Sequence, residues 1–530
     1  MAVERVYTYG ANLRKRRRDL RRRATSIGRG ALLVLVVVVV LGWWLSRDTW
    51  RLGDLTPAGG AVQICVTDLP AKLDAARASG VWRLLPESHP ARSVLERGMD
   101  GLPVPRWLAN NLGAGPSYWI LARVDDPSTL LVTTRMTRVG ALALKVAAWF
   151  PVFRRDYAGG LKLLHLQEAG LFLAVRGRVL LVSPSRRVLV DALTLTPDRA
   201  AGDAALESWR ARAEGADLYG VLDAAALERL NLPLTSMAGS MRFEAGRVSA
   251  KVTVVLSPAW RERLHPMLSR LASGPLKEPP EGCAAVSLNL GMTPMELLRA
   301  ARDLSPEAAM VPEWLIAETP DMPTDPGEAF FRRFARMLLS GTGTSFRLAW
   351  LGMDVNEMIP LPVVAGLAEE GGDALAALAA EAVNVKQPES EDPPMIEWTP
   401  RVAEDGALYI RLLAGPTLSL CAVPAGERGI AFGGSLTAAR VLAGREKSAP
   451  AASAGNGVLL VRIDPAACVD ALGAAGNELA SFGWLRNMPP DAVNSMFSVW
   501  REQVGQVREV RLMLAPDQAD AWQLSGDMTW

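Results

Sequence analysis

The residues of this chain that could do acid or base chemistry are few. Asp125 and Asp126 are adjacent carboxylates, and a pair of carboxylates can in principle supply a general acid and a general base. Adjacent side chains beside a strand turn point apart, however, and Pro127 follows them directly. We therefore interpret this pair as an ordinary turn and not as a catalytic site.

The chain contains four cysteines, Cys65, Cys283, Cys421 and Cys468, which are too few and too scattered for a disulfide scaffold or a zinc site. Cys468 falls in the first turn of a predicted helix, whose dipole could lower the thiol pKa. Because no His or Cys partner is identified, we favour a small buried apolar side chain there. Cys65 and Cys283 open equivalent predicted strands, and the sequence leaves open whether they are bonded to each other.

Other chemical signatures are absent from the sequence. The three histidines, His89, His165 and His265, are far apart, and no nucleophile elbow, zinc-protease motif or phosphate loop occurs. The segment 341–343, Gly-Thr-Gly, lacks a third glycine and a preceding strand, so we interpret it as a turn before a strand. The sequence thus predicts no catalytic, cofactor-binding or metal-ligating residue, no cofactor and no enzyme activity.

The elements that surround these residues follow one local pattern. Four times, an apolar run typical of a strand is followed by a helix-capping residue and then by helical periodicity. The capping residues are Asp68, Asp223, Thr293 and Asp464. Thr293, Pro294 and Glu296 have the spacing of a capping box with proline at the first helical position. The pattern predicts four strand, cap and helix units.

Hairpins lie between these units, and they recur in the same order. The predicted pairs are 117–136 with 345–358, 171–193 with 417–444, and 241–256 with 510–528. From this order we infer two homologous halves, 61–271 and 283–530, joined by a Pro/Gly-rich linker at 272–282. The fold class predicted for the chain is α+β, with an N-terminal transmembrane helix followed by two related halves of antiparallel sheet with helices packed on one face.

The predicted transmembrane helix is Gly30–Ser46, because no charged residue occurs between Arg29 and Arg47. As a helix these residues would be about 25 Å long, so the flanking arginines would have to reach the bilayer surface. A cleaved signal peptide is the main alternative, but no small-residue cleavage site follows closely. Residues 47–60 are predicted to link the helix to the body.

Charge is distributed very unevenly along the chain. Residues 1–29 contain ten Lys or Arg and two acidic residues, a net charge of +8, although the whole chain carries only +2. The positive-inside rule then predicts an inner-membrane protein with a cytoplasmic N-terminus and a periplasmic or extracytoplasmic body. We expect the basic arm to contact anionic lipids. The remaining residues carry −6, which gives the body no signature of nucleic-acid binding.

The chain resembles bacterial single-pass envelope proteins that are built from a duplicated domain of unknown function. The resemblance depends on the segments 124–127 (VDDP) and 462–472 (RIDPAACVDAL) and on the two terminal hairpins, and it covers about residues 61–530. It implies an anchored and duplicated body, but no catalytic residue.

Three hypotheses on function follow from these observations. The first, which we favour, is a membrane-anchored exported scaffold or binding subunit of a cell-envelope assembly, with an unidentified protein partner. The second is a carrier of an apolar ligand enclosed between the two halves. The third is an envelope enzyme whose site is assembled from residues distant in sequence.

Overall fold

The structure is a computed structural model, and it describes most of the chain after residue 49. The described residues are Val36, Val40, 50–85, 87, 90–101, 105–148, 153–158, 160–167, 170–268, 274–304, 312–318, 323–355, 360–385, 399–411, 419–448, 451–485, 488–518 and 521–530. The predicted basic arm 1–29 lies outside these residues. So does the predicted span 30–46, apart from Val36 and Val40.

Strands make up much of the described chain. In chain order they are β1 (Val62–Val66), β2 (Ser117–Leu121), β3 (Leu130–Arg135), β4 (Phe153–Ala158), β5 (Leu161–Leu166), β6 (Leu171–Arg176), β7 (Val179–Ser183), β8 (Leu218–Leu222), β9 (Leu234–Glu244), β10 (Arg247–Leu256), β11 (Gly274–Lys277), β12 (Ala284–Asn289), β13 (Ser345–Asp354), β14 (Leu361–Gly371), β15 (Arg401–Val402), β16 (Leu408–Arg411), β17 (Ser419–Ala425), β18 (Gly429–Gly433), β19 (Ser453–Gly457), β20 (Leu459–Ile463), β21 (Glu509–Gln518) and β22 (Ala521–Thr529).

The α-helices alternate with groups of strands. They are α1 (Leu69–Ser79), α2 (Pro90–Arg97), α3 (Arg106–Gly113), α4 (Arg138–Ala147), α5 (Arg186–Leu193), α6 (Gly202–Ala213), α7 (Ala224–Arg229), α8 (Pro258–Leu268), α9 (Pro294–Leu304), α10 (Glu313–Ile316), α11 (Pro326–Ser340), α12 (Gly372–Ala382), α13 (Leu436–Ser448), α14 (Pro465–Ser481) and α15 (Pro490–Val504).

The capping residues predicted from the sequence lie at the N-termini of several of these helices. The Asp223 carboxylate accepts a hydrogen bond from the Ala226 amide at 2.7 Å, and Asp464 accepts one from Ala467 at 2.9 Å. At α9 the Thr293 amide donates to the Glu296 carboxylate at 2.8 Å, and the Glu296 amide donates back to the Thr293 hydroxyl at 3.3 Å. The predicted capping box is thus confirmed.

The chain divides into two compact units. The first contains residues up to Ala71 together with Leu102–Glu214, and the second contains Lys72–Gly101 together with Gly215–Trp530. These bounds differ from those of the halves inferred from the sequence, 61–271 and 283–530, which remain a prediction.

The first unit contains one antiparallel sheet with the strand order β1-β2-β3-β7-β6-β5-β4. The register of β2 and β3 opposes Ser117 to Thr134, so the segment with Asp125 and Asp126 closes a hairpin, as predicted. A helix face packs on one side of the sheet, where Ala141 and Leu144 of α4 contact Leu180 of β7 and its neighbours.

The second unit contains a longer antiparallel sheet of the order β8-β9-β10-β22-β21-β20-β12-β13-β14-β18-β17-β16-β15. Its last seven strands, from β12 to β15, follow the same chain order as the seven strands of the first unit. An internal duplication would produce this shared order, although the duplication itself remains our interpretation.

The predicted packing of helices on one face is wrong for the second unit. On one face of its sheet, Phe330 and Phe334 of α11 pack against Ile430 of β18. On the opposite face, Ala439 of α13 packs against Ala431, the next residue of the same strand. Because successive strand residues point to opposite faces, β18 and its neighbours are buried between two helical layers.

The first element of the predicted fold class, the transmembrane helix, is not found among the described residues. In the part of the chain that the structure describes, no helix is both long enough and apolar enough to cross a membrane. The longest described helix, α14, has 17 residues, against the roughly 20 apolar residues that a span needs, and it carries Asp470 and Glu478.

One predicted linker forms structure. Within 272–282 the residues of β11 pair with β19 in a two-stranded antiparallel sheet, with Gly274 opposite Gly457. Leu276 of β11 is fully buried. This pairing joins segments about 180 residues apart in the chain. The local abundance of Pro and Gly, which predicts a linker, does not reveal such a long-range pairing.

Candidate functional site

The carboxylate pair at the β2–β3 turn has a structural role. Asp126 caps a short 3₁₀ helix and accepts a hydrogen bond from the Ser128 amide at 3.0 Å. Asp125 instead pairs with the Arg123 guanidinium at 2.7 Å. The two side chains therefore engage different partners, and the turn interpretation is confirmed.

All four cysteines are free thiols, so Cys65 and Cys283 are not bonded in this structure. The Cys468 Sγ lies 3.1 Å from the Cys283 carbonyl oxygen. Burial, helped by the nearby Cys283 and Asp464, raises the pKa of Cys468 to about 11. The helix dipole does not dominate at this site, so the thiol is protonated at neutral pH.

Among the described side chains, the remaining candidates from the sequence are not brought together into a site. His165 stacks on Phe172, with ring centroids 4.4 Å apart, whereas His89 lies outside the described residues. No group of three or more side chains suited to hold a metal ion occurs among the described residues. Gly343 has a φ of +73° and precedes β13, which begins at Ser345, so the 341–343 segment is a turn.

Four adjacent strands near the β8 edge of the second unit's sheet have a different character from the rest of that sheet, and we refer to them by the name central strands. These central strands are β9, β10, β22 and β21, neighbours in that order. Each is 9 to 11 residues long, and none of their described residues is buried. Both faces of the sheet are accordingly reachable from solvent here, in contrast to the doubly covered strands around β18.

One side of the central strands, which we call the polar face, carries alternating charged and hydroxyl side chains. Register and strand alternation place these residues together: Ser240, Arg242 and Glu244 of β9; Arg247, Ser249 and Lys251 of β10; Ser525, Asp527 and Thr529 of β22; and Glu509, Arg511 and Met513 of β21.

Ion pairs organise much of the polar face. Arg247 donates to the Asp527 carboxylate at 2.8 Å through Nη2 and at 3.2 Å through Nε. This carboxylate raises the pKa of Arg247 further above its ordinary value. The side chains are about half exposed, so the pair positions the groups more than it stabilises the fold.

A second ion-pair cluster lies at the β20 side of the same face. Arg511 and Arg462 are directly opposed on adjacent strands, an arrangement that is unfavourable for like charges. Glu509 lies 3.7 Å from Arg511 and 3.9 Å from Arg462, and Glu278 accepts from Arg511 at 2.7 Å. Two carboxylates thus hold two guanidinium groups side by side.

Two cavities open on the polar face. One, of about 370 Å³, is lined by Arg247, Glu509 and Arg511 and is bounded by Ala454 of β19. The other, of about 470 Å³, extends over β9 and β10 and includes Lys251. Both volumes fall in the range of small-molecule sites, and both are rich in polar groups.

The other side of the central strands is apolar, and we call it the apolar face. It carries Met237, Met241, Phe243, Val248, Val252, Val254, Val510, Leu512, Leu514, Trp522, Leu524 and Met528. These side chains are only partly covered, and Trp522 also packs against the core of the second unit. A partly covered apolar face opposite a polar face is typical of a surface that contacts something else.

The sequence predicted the two hairpins that form the central strands, but it did not single them out as a site. The signal that could have found them is the period of two, as in Arg242, Glu244, Arg247 and Ser249, which separates polar from apolar side chains. The same pattern describes any half-buried strand. Only the lack of buried residues among the described residues of these strands, which is a tertiary property, turns it into a candidate surface.

Comparison with known proteins adds little. No protein-family model and no curated protein matches the chain. Among solved structures, crystal form III of TP0453 matches 44% of this chain and 91% of its own, with 10% identity and a TM-score of 0.25. Crystal form I of TP0453 matches 44% of this chain and 90% of its own, with 11% identity and a TM-score of 0.26. Likeness at this level supports no conclusion about function.

Proposed function

We propose that this protein is a scaffold or binding subunit of a cell-envelope assembly, and that the polar face of the central strands contacts its protein partner. The observation that carries the proposal is that four adjacent long strands contain no buried described residue. Sheet area is seldom left accessible on both faces unless another molecule uses it.

The size of this surface fits a protein interface. Strands of ten residues are about 33 Å long, and four strands spaced about 4.8 Å apart are about 19 Å wide, so each face has roughly 600 Å². A standard interface uses about 800 Å² from each partner, and the adjoining β20 and the β11–β19 strand pair would bring the area of the polar face close to that value. The pre-formed ion pairs of Arg247 and Arg511 would favour a partner of complementary charge.

The location at the cell envelope rests on sequence alone. It depends on the +8 net charge of residues 1–29 and on the uncharged run that follows them, nearly all of which lies outside the described residues. Contact of the arm with anionic lipids is part of the same proposal.

The test is to recover the partner. The full chain is extracted from native membranes in mild detergent after brief chemical cross-linking, and the complexes are separated by size. A second protein in stoichiometric amount is the expected result. Recovery of the chain alone, as a clean monomer in both cross-linked and untreated samples, would contradict the proposal.

The apolar face favours a second candidate, a carrier of an apolar ligand. Twelve apolar side chains line that face and none is buried, so a lipid chain could shield them from water. Native mass spectrometry distinguishes this candidate, because a carrier would retain co-purified lipid. A lipid-free spectrum together with a stoichiometric protein partner would leave only the first proposal.

A further inference from the structure

We propose that the polar face binds a tetrahedral oxyanion of the phosphate type at a site centred on Lys251. This inference goes beyond the proposed function, because a protein partner could occupy the face whether or not it carries a phosphate. The site lies within the 470 Å³ cavity, which has room for a phosphate and for part of the group that bears it.

The strand register brings the donors of this site together. Lys251 of β10 is directly opposite Ser240 of β9 on one side and Ser525 of β22 on the other. Ser249 precedes Lys251 by two residues and points to the same face. One ammonium group and three hydroxyl groups therefore line one stretch of the cavity, and all four residues are among those that border it.

The charges around the cavity leave Lys251 without a counter-ion. Arg242 pairs with Glu244 at 3.3 Å, and Arg247 pairs with Asp527 at 2.8 Å. Among the described residues no carboxylate forms an ion pair with Lys251, whose side chain is exposed. The ionisable residues that border the cavity are three cations and one anion, a net charge of +2.

The hydroxyl groups are equally available. No side-chain hydrogen bond within the described chain engages the hydroxyl of Ser240, Ser249 or Ser525. A hydroxyl can rotate to donate to an anion, and it can do so without giving up another partner. Three such donors on three strands beside a positive charge suit an anion with several acceptor oxygens.

The donor set favours a phosphate-type group over a carboxylate. Planar carboxylates are matched by the two-pronged guanidinium of arginine, but the arginines here are already paired with protein carboxylates. A lysine acts as a point charge, and donors that approach from several directions suit the oxygens of a tetrahedral anion. Free phosphate and a phosphate monoester on a lipid headgroup share this chemistry.

The first arm of the test uses inorganic phosphate as the probe. Isothermal titration calorimetry of the full chain in chloride buffer is expected to show one binding event, which Lys251→Gln and Ser525→Ala each weaken. For Lys251→Gln we expect the affinity for phosphate to fall about tenfold or more, because the variant loses a hydrogen bond to a charged group. Lys447→Gln is the matched control, because it removes the same charge from an exposed position on α13 and should leave the affinity unchanged.

The second arm identifies the source of the phosphate. Vesicles of phosphatidylcholine with and without phosphatidic acid are sedimented with each variant. Retention on phosphatidic acid that Lys251→Gln abolishes assigns a lipid headgroup, whereas phosphate binding without vesicle retention assigns a free or protein-borne phosphate. The proposal is overturned if phosphate does not bind, or if Lys251→Gln and Lys447→Gln weaken the affinity for phosphate equally. Recovery of a protein partner is measured separately, so the two proposals can fail independently.

Discussion

Replacement of Arg347 by methionine should destabilise the second unit strongly. The Arg347 side chain lies on β13, is only 6% exposed, and donates through Nη2 to the Glu446 carboxylate of α13 at 2.9 Å. Glu446 itself is 15% exposed, so both charges are largely removed from water. This pair joins the helix to the face of the sheet that it covers.

The magnitude follows from what the substitution leaves behind. Removing one partner of a buried pair costs about 3–5 kcal/mol, because the other charge remains buried without compensation. Lys277 lies 3.8 Å from Glu446 and is 36% exposed, and it also pairs with Glu369 at 3.0 Å, so it offers only partial compensation. We therefore expect Arg347→Met to lower the free energy of unfolding by about 3 kcal/mol, at the lower end of this range.

The assay is equilibrium unfolding in urea for Arg347→Met, Glu446→Gln and the double variant. Because the two residues share one interaction, the double variant should lose clearly less stability than the sum of the single losses. Arg445→Gln is the control, since Arg445 also pairs with a glutamate, Glu281 at 3.2 Å, but is 56% exposed. That pair should contribute at most about 1 kcal/mol. A loss below about 1 kcal/mol for Arg347→Met, or strictly additive losses, would refute this reasoning.

Three further predictions concern single positions. Asp464→Ala removes the cap of α14 and should lower the free energy of unfolding by about 1 kcal/mol, measured by thermal unfolding. Asp464→Asn should lower it much less, because asparagine also caps helices; equal losses for the two variants would contradict the capping role. Because the pKa of Cys468 is raised to about 11, its alkylation rate by iodoacetamide should keep rising with pH above 9, and a plateau near pH 8 would contradict the burial argument. Gly366→Ala would place a Cβ 2.6 Å from Phe432 and should destabilise by about 1–3 kcal/mol, with partial rescue by Phe432→Leu; no rescue would place the strain elsewhere.

The sequence predicted local structure well because the relevant signals are local. The caps at Asp223, Thr293 and Asp464 act within four residues, and they start helices where expected. The hairpins were found for the same reason, since alternation and turn residues lie close together in the chain. The turn reading of Asp125 and Asp126 was correct on the same grounds.

Long-range packing was not predictable in the same way. The period-two pattern of a strand does not state which partner lies on each face, so the second helical layer over β18 was missed. The pairing of β11 with β19 was missed because it joins distant segments of weak strand propensity. The candidate surface was missed for a related reason: a strand with buried residues and a strand without them can have the same sequence pattern.

The most direct test of the proposed binding surface is site-specific photo-cross-linking in cells that make the full chain. A photoreactive amino acid is placed at Ser249, at the centre of the polar face, and in a second strain at Lys447 on α13. The account predicts a discrete cross-linked partner from position 249 and none from position 447. Equal labelling from both positions, or none from position 249 while a partner still co-purifies, would contradict it.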